Sequence, residues 1–300
     1  MPELPEVETV RRGLERLIIG RTVTSVRCLD SPKSFPNDPA EVAAQLIGAD
    51  IVAVRRRAKV LLIDLSTNYT LVTHLKMTGQ IVWLAQSTPT NMTDPSSRFG
   101  AGHPNDSLVG ELPDRSTRVV YEFSDGSHLY FNDQRKFGWM KLYPTPEVSN
   151  IDFMKKVGPE PLELEFSHAD FVQRIRRRNN TTIKAAILDQ TVIAGVGNIY
   201  ADESLWGTKL RPATRVRDIA DETLGQLLEE IRTVMVIAIE KGGSTDKNYV
   251  NAEGKKGSYI DFARVFRREG LDCPRCGAMI EKIRCAGRGT HVCPVCQRSA

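Results

Sequence analysis

Four of the six cysteines form two pairs, Cys273-Pro-Arg-Cys276 and Cys293-Pro-Val-Cys296, with 16 residues between the pairs. Zinc takes this spacing: each two-residue turn aims two thiolates at one ion, and two turns complete a tetrahedron with no position left for water. Such an ion braces the chain and does no chemistry. Two disulfides are the competing reading, but they belong to oxidising compartments. The first residues, Met1-Pro2-Glu3-Leu4-Pro5-Glu6, carry acids where an export signal needs a basic stretch and an apolar run. The expectation is one structural zinc in a cytoplasmic protein. Cys28 and Cys285 lie outside the pairs and read as packed or exposed thiols.

A different chemistry is available at Pro2. If Met1 is removed, the chain begins with a secondary amine, which can attack a sugar or aldehyde carbon and yield an iminium ion directly. That cation is an electron sink and makes neighbouring C–H bonds acidic. The plainer reading is a proline in the first turn of a helix, where its missing N–H is harmless. Glu3 and Glu6 can move protons or hold water, although acids near a helix start also complement its dipole. Lys59, in Arg55-Arg56-Arg57-Ala58-Lys59-Val60, is either a solvated strand end or a phosphate anchor or proton donor.

Three further clusters mix cations with apolar residues or glycine. His74-Leu-Lys-Met-Thr-Gly79 runs from a strand into a glycine turn, and Met77 there is core filler in the plainer reading. Asp133-Gln-Arg-Lys-Phe-Gly138 holds Arg135 and Phe137, otherwise an ion-pair residue and a core ring. On loop tips the same side chains suit a wedge between bases and a plug for the gap left by an extruded nucleotide. Gly195-Val-Gly-Asn198 puts Asn198 at a helix start, as an ordinary cap or as part of a phosphate seat.

These residues need a scaffold, and 300 residues leave room for about two domains. With 41% hydrophobic and 26% charged residues the composition is that of an ordinary globular protein, and no apolar run approaches the roughly 18 residues of a membrane span. The formal net charge is only +4, but eight Lys/Arg face three acids from Arg264 to the end, so the positive excess sits with the cysteines. Val7, Val10, Leu14, Leu17 and Ile18 share one face of a helix over 6–18. Short β-rich runs follow at 22–29, 50–57, 60–65, 69–75, 118–123, 128–132 and 139–143, the pattern of a sandwich or barrel. Residues 86–115, rich in Pro, Ser, Asn, Asp and Gly, read as an exposed, mobile insertion. Prolines at 144, 146, 159 and 161 mark a linker into helices at 167–178, 182–188, 198–206 and 218–241. Gly242-Gly243 ends the last of these, and residues 244–258 form a loop long enough to close over a ligand.

Taken together and in order, the motifs at 1–9, 56–59, 74–79, 133–138, Gly158-Pro-Glu-Pro-Leu162, 194–203, Gly242-Gly-Ser-Thr245 and Gly287-Arg-Gly-Thr-His291 resemble the formamidopyrimidine-DNA glycosylase family over nearly the whole chain. The resemblance implies an α+β fold: an N-terminal helix and β-sandwich at 1–146, a helix–two-turn–helix domain at 150–241, a lesion-capping loop at 242–263 and a zinc β-hairpin finger at 264–300. It implies a monomeric bifunctional glycosylase and lyase of base excision repair. The partner would be double-stranded DNA carrying oxidised purines, such as 8-oxoguanine and formamidopyrimidines, or abasic sites, with no membrane involved.

By the family pattern Pro2 is the nucleophile at C1′, Glu3 its acid/base partner and Lys59 the proton donor for β-elimination, while Arg288 is linked to δ-elimination. His74, Arg135, Lys184 and Asn198 fall on phosphate-holding positions. Met77, Arg135 and Phe137 fall on residues inserted into the stack, and Glu6, Ser244 and Asn248 on the lesion loop. Cys273, Cys276, Cys293 and Cys296 are the zinc ligands.

The chain departs from the pattern at Arg115-Ser116, where a Lys-His pair is usual, at Asp246-Lys247-Asn248, and at Phe266-Arg267-Arg268, where Tyr-Gly-Arg is usual. Two alternatives stand beside this reading. An endonuclease-eight-like enzyme for oxidised pyrimidines is disfavoured by Leu4 and the Gly-Arg-Gly-Thr finger. A zinc-dependent nucleic-acid binder without catalysis is disfavoured by the intact Pro2, Glu3 and Lys59.

Overall fold

Helix α1 (Leu4–Ile18) begins two residues earlier than the apolar spacing suggests, because Glu3 serves as its N-cap and Glu6 accepts the Glu3 N–H at 2.7 Å. Pro5 occupies the first turn, and Pro2 lies outside the helix. The plainer reading of Pro2 as a first-turn proline therefore fails. The buried face of α1, including Val7, Val10, Leu14 and Ile18, enters one apolar core with residues from two antiparallel sheets.

In this computed structural model the chain divides into two units, Met1–Lys155 with Gly242–Ser258, and Lys156–Lys241 with Tyr259–Ala300. Residues 2–86, 97–103, 106–108, 110–244 and 259–298 are described. The first unit contains β1 (Val23–Cys28), the short helix α2 (Pro39–Gln45), β2 (Ile51–Arg57), β3 (Val60–Leu65), β4 (Tyr69–His74), β5 (Gly79–Leu84), β6 (Arg98–Gly102), β7 (Thr117–Phe123), β8 (His128–Asp133), β9 (Trp139–Pro144) and the start of α3 (Asp152–Lys156). One sheet runs β1-β7-β8-β5-β6 and the other β2-β3-β4-β9. The chain crosses between them at β1–β2, β4–β5 and β8–β9, and because Gly79 pairs with Asp133 and His74 with Trp139 the last two connecting loops lie beside each other at one end of the strands.

Residues 86–115 are not one exposed insertion. Arg98–Gly102 is β6, paired with β5 from Gln80↔Gly102 to Leu84↔Arg98, and Phe99 and Ala101 are buried on its inner face. Its sequence, Arg-Phe-Gly-Ala-Gly, offers one large apolar residue, too little for alternation to be visible. Phe99 fits against α1 because position 13 is glycine: a Cβ there would lie 2.0 Å from Phe99 Cζ. Residues 87–96, 104–105 and 109 lie outside the described residues.

The second unit is helical, with α4 (His168–Arg176), α5 (Ile183–Leu188), α6 (Asn198–Gly207) and α7 (Asp221–Glu240), followed by a hairpin of β10 (Glu281–Cys285) and β11 (Arg288–Val292). Every residue of α6 from Ile199 to Trp206 is buried, the acids Asp202 and Glu203 included. Among the described residues no helix is long and apolar enough to cross a membrane.

Candidate active site

The start of α1 is held by one carboxylate. Glu6 accepts the Glu3 N–H on Oε2 at 2.7 Å and the Ser244 N–H on Oε1 at 2.6 Å, and both Glu3 and Glu6 are buried. Gly243, at φ +86°, passes so close that a Cβ would sit 3.0 Å from Glu6 Cγ. With both oxygens engaged by backbone, Glu6 is a fastener for the Ser244 strap, and Glu3 is the buried acid adjoining Pro2. Asn248 lies outside the described residues.

Lys59 stands at the tip of the β2–β3 hairpin, whose last pair is Arg57↔Val60 and whose turn puts Ala58 at φ +52°. Arg56 pins this hairpin to α1 by donating to Glu8 at 3.1 Å and to the Ala58 carbonyl at 2.9 Å. Burial alone would raise the Glu8 carboxyl, but Arg11, Arg12 and Arg56 hold it below its ordinary range. One strand over, His74 pairs with Val60. Burial first, then the charges of Lys76 and Lys59, push its pKa down to about 3. The neutral ring accepts the Lys76 N–H on Nδ1 at 3.1 Å, which leaves Nε2 to carry the proton and act as a donor.

The sign of the pH effect follows from this. The unfolded chain protonates His74 below its ordinary value of 6.5, and the folded chain only near 3, so stability rises with pH through that window and is flat above it. Chemical denaturation is expected to show a loss of unfolding free energy between pH 6.5 and pH 5 that is smaller in His74→Gln.

The β4–β5 and β8–β9 loops are tied side by side. Asp133, buried, accepts the Thr78 hydroxyl and the Arg135 N–H (3.2 Å) on Oδ1 and the Gly138 N–H (2.6 Å) on Oδ2, while Thr78 Oγ1 also accepts the Arg135 N–H at 3.1 Å. Gly79 and Gly138 are required: a Cβ at Gly79 would lie 2.3 Å from the Leu75 carbonyl oxygen, and one at Gly138 2.7 Å from Phe131 Cζ. The result is a braced platform that leaves Met77 half-buried and Arg135 and Phe137 exposed. The Arg135 guanidinium lies 5.0 Å from the Phe137 ring centroid. The 56% exposure of Phe137 excludes its reading as a core ring.

In the second unit the four cysteine sulfurs lie within 4.8 Å of one another, with Cys273···Cys296 at 3.9 Å and Cys276···Cys293 at 3.5 Å. A tetrahedron with Zn–S bonds of about 2.3 Å has edges of about 3.8 Å, so the donor set fits zinc. The β10–β11 turn uses Ala286 and Gly287, both at positive φ, and places Arg288 exposed on its far side, paired with Cys285. Asn198 donates to the Gly289 carbonyl at 3.0 Å and so joins the start of α6 to this turn.

Lys184 does not fit the expected phosphate contact. It is fully buried, with Nζ 2.6 Å from Asp202 Oδ1 and 2.6 Å from Thr290 Oγ1, and Asp202 also accepts the His291 N–H. Its ammonium supports the strand that carries Arg288 from inside the unit.

Sequence similarity extends over the whole length of curated relatives. A protein named formamidopyrimidine-DNA glycosylase from Latilactobacillus sakei is 39% identical over 297 residues, covering 99% of this chain and 98% of its own length. The chain belongs to the formamidopyrimidine-DNA glycosylase family. Its homologue from Herpetosiphon aurantiacus is 41% identical over 298 residues, covering 99% of this chain and all of its own. Family models match the formamidopyrimidine-DNA glycosylase N-terminal domain at 1–140, the H2TH domain at 157–249 and the zinc finger found in FPG and IleRS at 270–298. The Lactococcus lactis Fpg bound to DNA with an abasic site aligns with a TM-score of 0.84 at 33% identity, covering 99% of this chain and all of its own. The wild-type enzyme bound to DNA containing N7-benzyl-Fapy-dG gives 0.83 with the same identity and coverage.

Within this glycosylase fold two departures acquire physical content. Ser116 is buried against Asp114 and Ser107, so it braces its own turn. Arg267 holds a φ of +57°, a conformation that favours the glycine usual there. Arg267→Gly is expected to raise unfolding free energy by about 0.5–1 kcal/mol, read by denaturant titration. Several structural residues escaped sequence reading: Asp133, Thr78, Glu8, Asp202 and Glu203. Only the last pair left a trace, as two acids in a helix without a polar face. Glu203 accepts the backbone N–H groups of Arg264, Val265 and Phe266 and fastens that segment to α6.

Proposed function

We propose that this chain excises oxidised purines, formamidopyrimidines and 8-oxoguanine among them, from double-stranded DNA and then cuts the strand at the resulting abasic site. The observation that carries the reading is a helix start prepared for chemistry: Pro2 outside the helix, Glu3 buried next to it, and Glu6 fully committed to holding the segment in place.

After removal of Met1, the Pro2 nitrogen attacks C1′ of the extruded nucleotide. The bond from C1′ to the base breaks, and its electron pair leaves with the base, which takes up a proton. Glu3 protonates the ring oxygen as the sugar opens, and the nitrogen lone pair forms the C1′=N iminium. Loss of a C2′ proton then expels the 3′ phosphate, with Lys59 supplying a proton in this step. A second elimination, in which Arg288 takes part, expels the 5′ phosphate, and water frees the proline.

Extrusion of a nucleotide costs a few kcal/mol. Met77, Arg135 and Phe137 offset this by filling the gap, while the neutral Nε2–H of His74 and the Asn198 region hold backbone phosphates. Zinc supplies structure: held by the four cysteines, it fixes the hairpin that presents Arg288. We place the activity in the cytoplasm, at the chromosome.

Borohydride reduces an iminium to a stable amine, so incubating the protein with a duplex carrying one defined lesion is expected to leave a covalent protein–DNA species on a denaturing gel. Trapping on 8-oxoguanine or formamidopyrimidine duplexes supports the reading. Trapping only on oxidised pyrimidines supports the endonuclease-eight-like alternative, and binding without trapping supports a non-catalytic binder.

A further inference from the structure

Trp206, near the end of α6, is absorbed by none of the roles above. It is 6% exposed and belongs to a small apolar core with Val265, Ile280 and two zinc ligands, Cys273 and Cys293. Its indole Nε1 lies 3.4 Å from Cys273 Sγ. That thiolate also receives backbone N–H groups from its own knuckle. The Arg275 guanidinium stands 3.8 Å from the Trp206 ring centroid and donates to the carbonyls of Trp206 (2.9 Å) and Gly207 (3.2 Å). Arg264 stands 4.8 Å from the same centroid.

We propose that Trp206 protects the zinc site chemically: its N–H, donated to Cys273, draws charge from a zinc-bound thiolate and lowers its reactivity toward peroxides. A zinc thiolate keeps nucleophilic lone pairs, and a donor outside the ligand set tunes them. Guanidiniums over the indole face pull electron density from the ring and strengthen its N–H as a donor. Enclosure in an apolar core keeps water from competing for that bond. The reaction being slowed is attack of the thiolate sulfur on one oxygen of hydrogen peroxide. The S–O bond forms, the O–O bond breaks, sulfur is oxidised to the sulfenate, and the peroxide is reduced to water. The zinc–sulfur bond weakens and the ion leaves. An enzyme whose substrates arise under oxidation gains from such protection; that benefit rests on the proposed function, whereas the chemistry does not.

The test uses the full zinc-loaded chain and no DNA, so its outcome is independent of whether the protein is a glycosylase. Zinc release under hydrogen peroxide is followed with a chromogenic chelator. Trp206→Phe, which keeps an aromatic ring for Arg275 and loses the N–H together with part of the indole's volume, is expected to release zinc about fivefold faster, the size of one hydrogen bond, with initial zinc content unchanged. Equal release rates would overturn the proposal. A second measurement needs no variant at position 206: in ¹¹³Cd-substituted wild type, an indole N–H resonance is expected to show scalar coupling to the metal through the hydrogen bond, assigned with Trp83→Phe and Trp139→Phe. Absence of that cross-peak would equally overturn it.

Discussion

Pro2→Gly is expected to lower lesion excision by at least about 100-fold, some 2.7 kcal/mol of barrier, while affinity for lesion DNA changes little. A secondary amine condenses with the opened sugar to an iminium that has no N–H proton to lose, so the positive charge persists through both eliminations. A glycine amine forms an imine that can shed its proton and its electron demand with it. In the proposed mechanism binding rests on other residues, the braced loops and the cationic positions, none of which the substitution touches. Single-turnover kinetics on a lesion duplex, with a gel-shift titration alongside, measure the two effects separately. Near-normal excision by the variant refutes the assigned nucleophile. Intact mass adds an independent check, since the mature chain should be lighter than its sequence by one methionine.

The second large effect is at Lys184. Removing one partner of a buried ion pair strands the other, and both Lys184 and Asp202 have side chains with 0% exposure. Lys184→Ala is expected to destabilise the second unit by about 3–5 kcal/mol and to lower its melting temperature by roughly 10 °C at ~2–4 °C per kcal/mol. Lys184→Met paired with Asp202→Leu is expected to recover part of the loss, because an apolar pair of similar volume leaves no uncompensated charge. Calorimetry checks both. A surface phosphate contact would behave in the opposite way, with weaker DNA binding and an unchanged melting curve.

Lys184 also marks the limit of reading chemistry from sequence. Residue type and spacing announce a cation but not the direction it faces, and Asp202, its partner, is 18 positions away along the chain. The zinc ligands were legible because metal geometry is written in short local spacings. Strands such as β3, apolar at every position but Asp64, were legible for a similar reason. Strand β6 was hidden because its burial depends on a glycine in another element, and β5 because its start coincides with a loop motif. Glu6 and Ser244 were grouped by the family pattern as lesion-loop residues; that both Glu6 oxygens are occupied by backbone, and that it acts as a fastener, is visible only in the structure. Asp133 is the clearest omission: its value lies in three groups converging on it from two loops, and no linear pattern records convergence.

The notch at Gly13 has a practical bearing on protein engineering. A builder wishing to shorten this enzyme would begin by trimming the polar stretch between β5 and β7, the part that reads as dispensable. Phe99 sits inside that stretch and is the chock beneath the helix that follows the proposed nucleophile. A deletion that spares residues 98–102 preserves the seat, whereas one that takes them leaves the leading helix free to rock on its bed, and activity would fail at a distance from any residue that touches DNA.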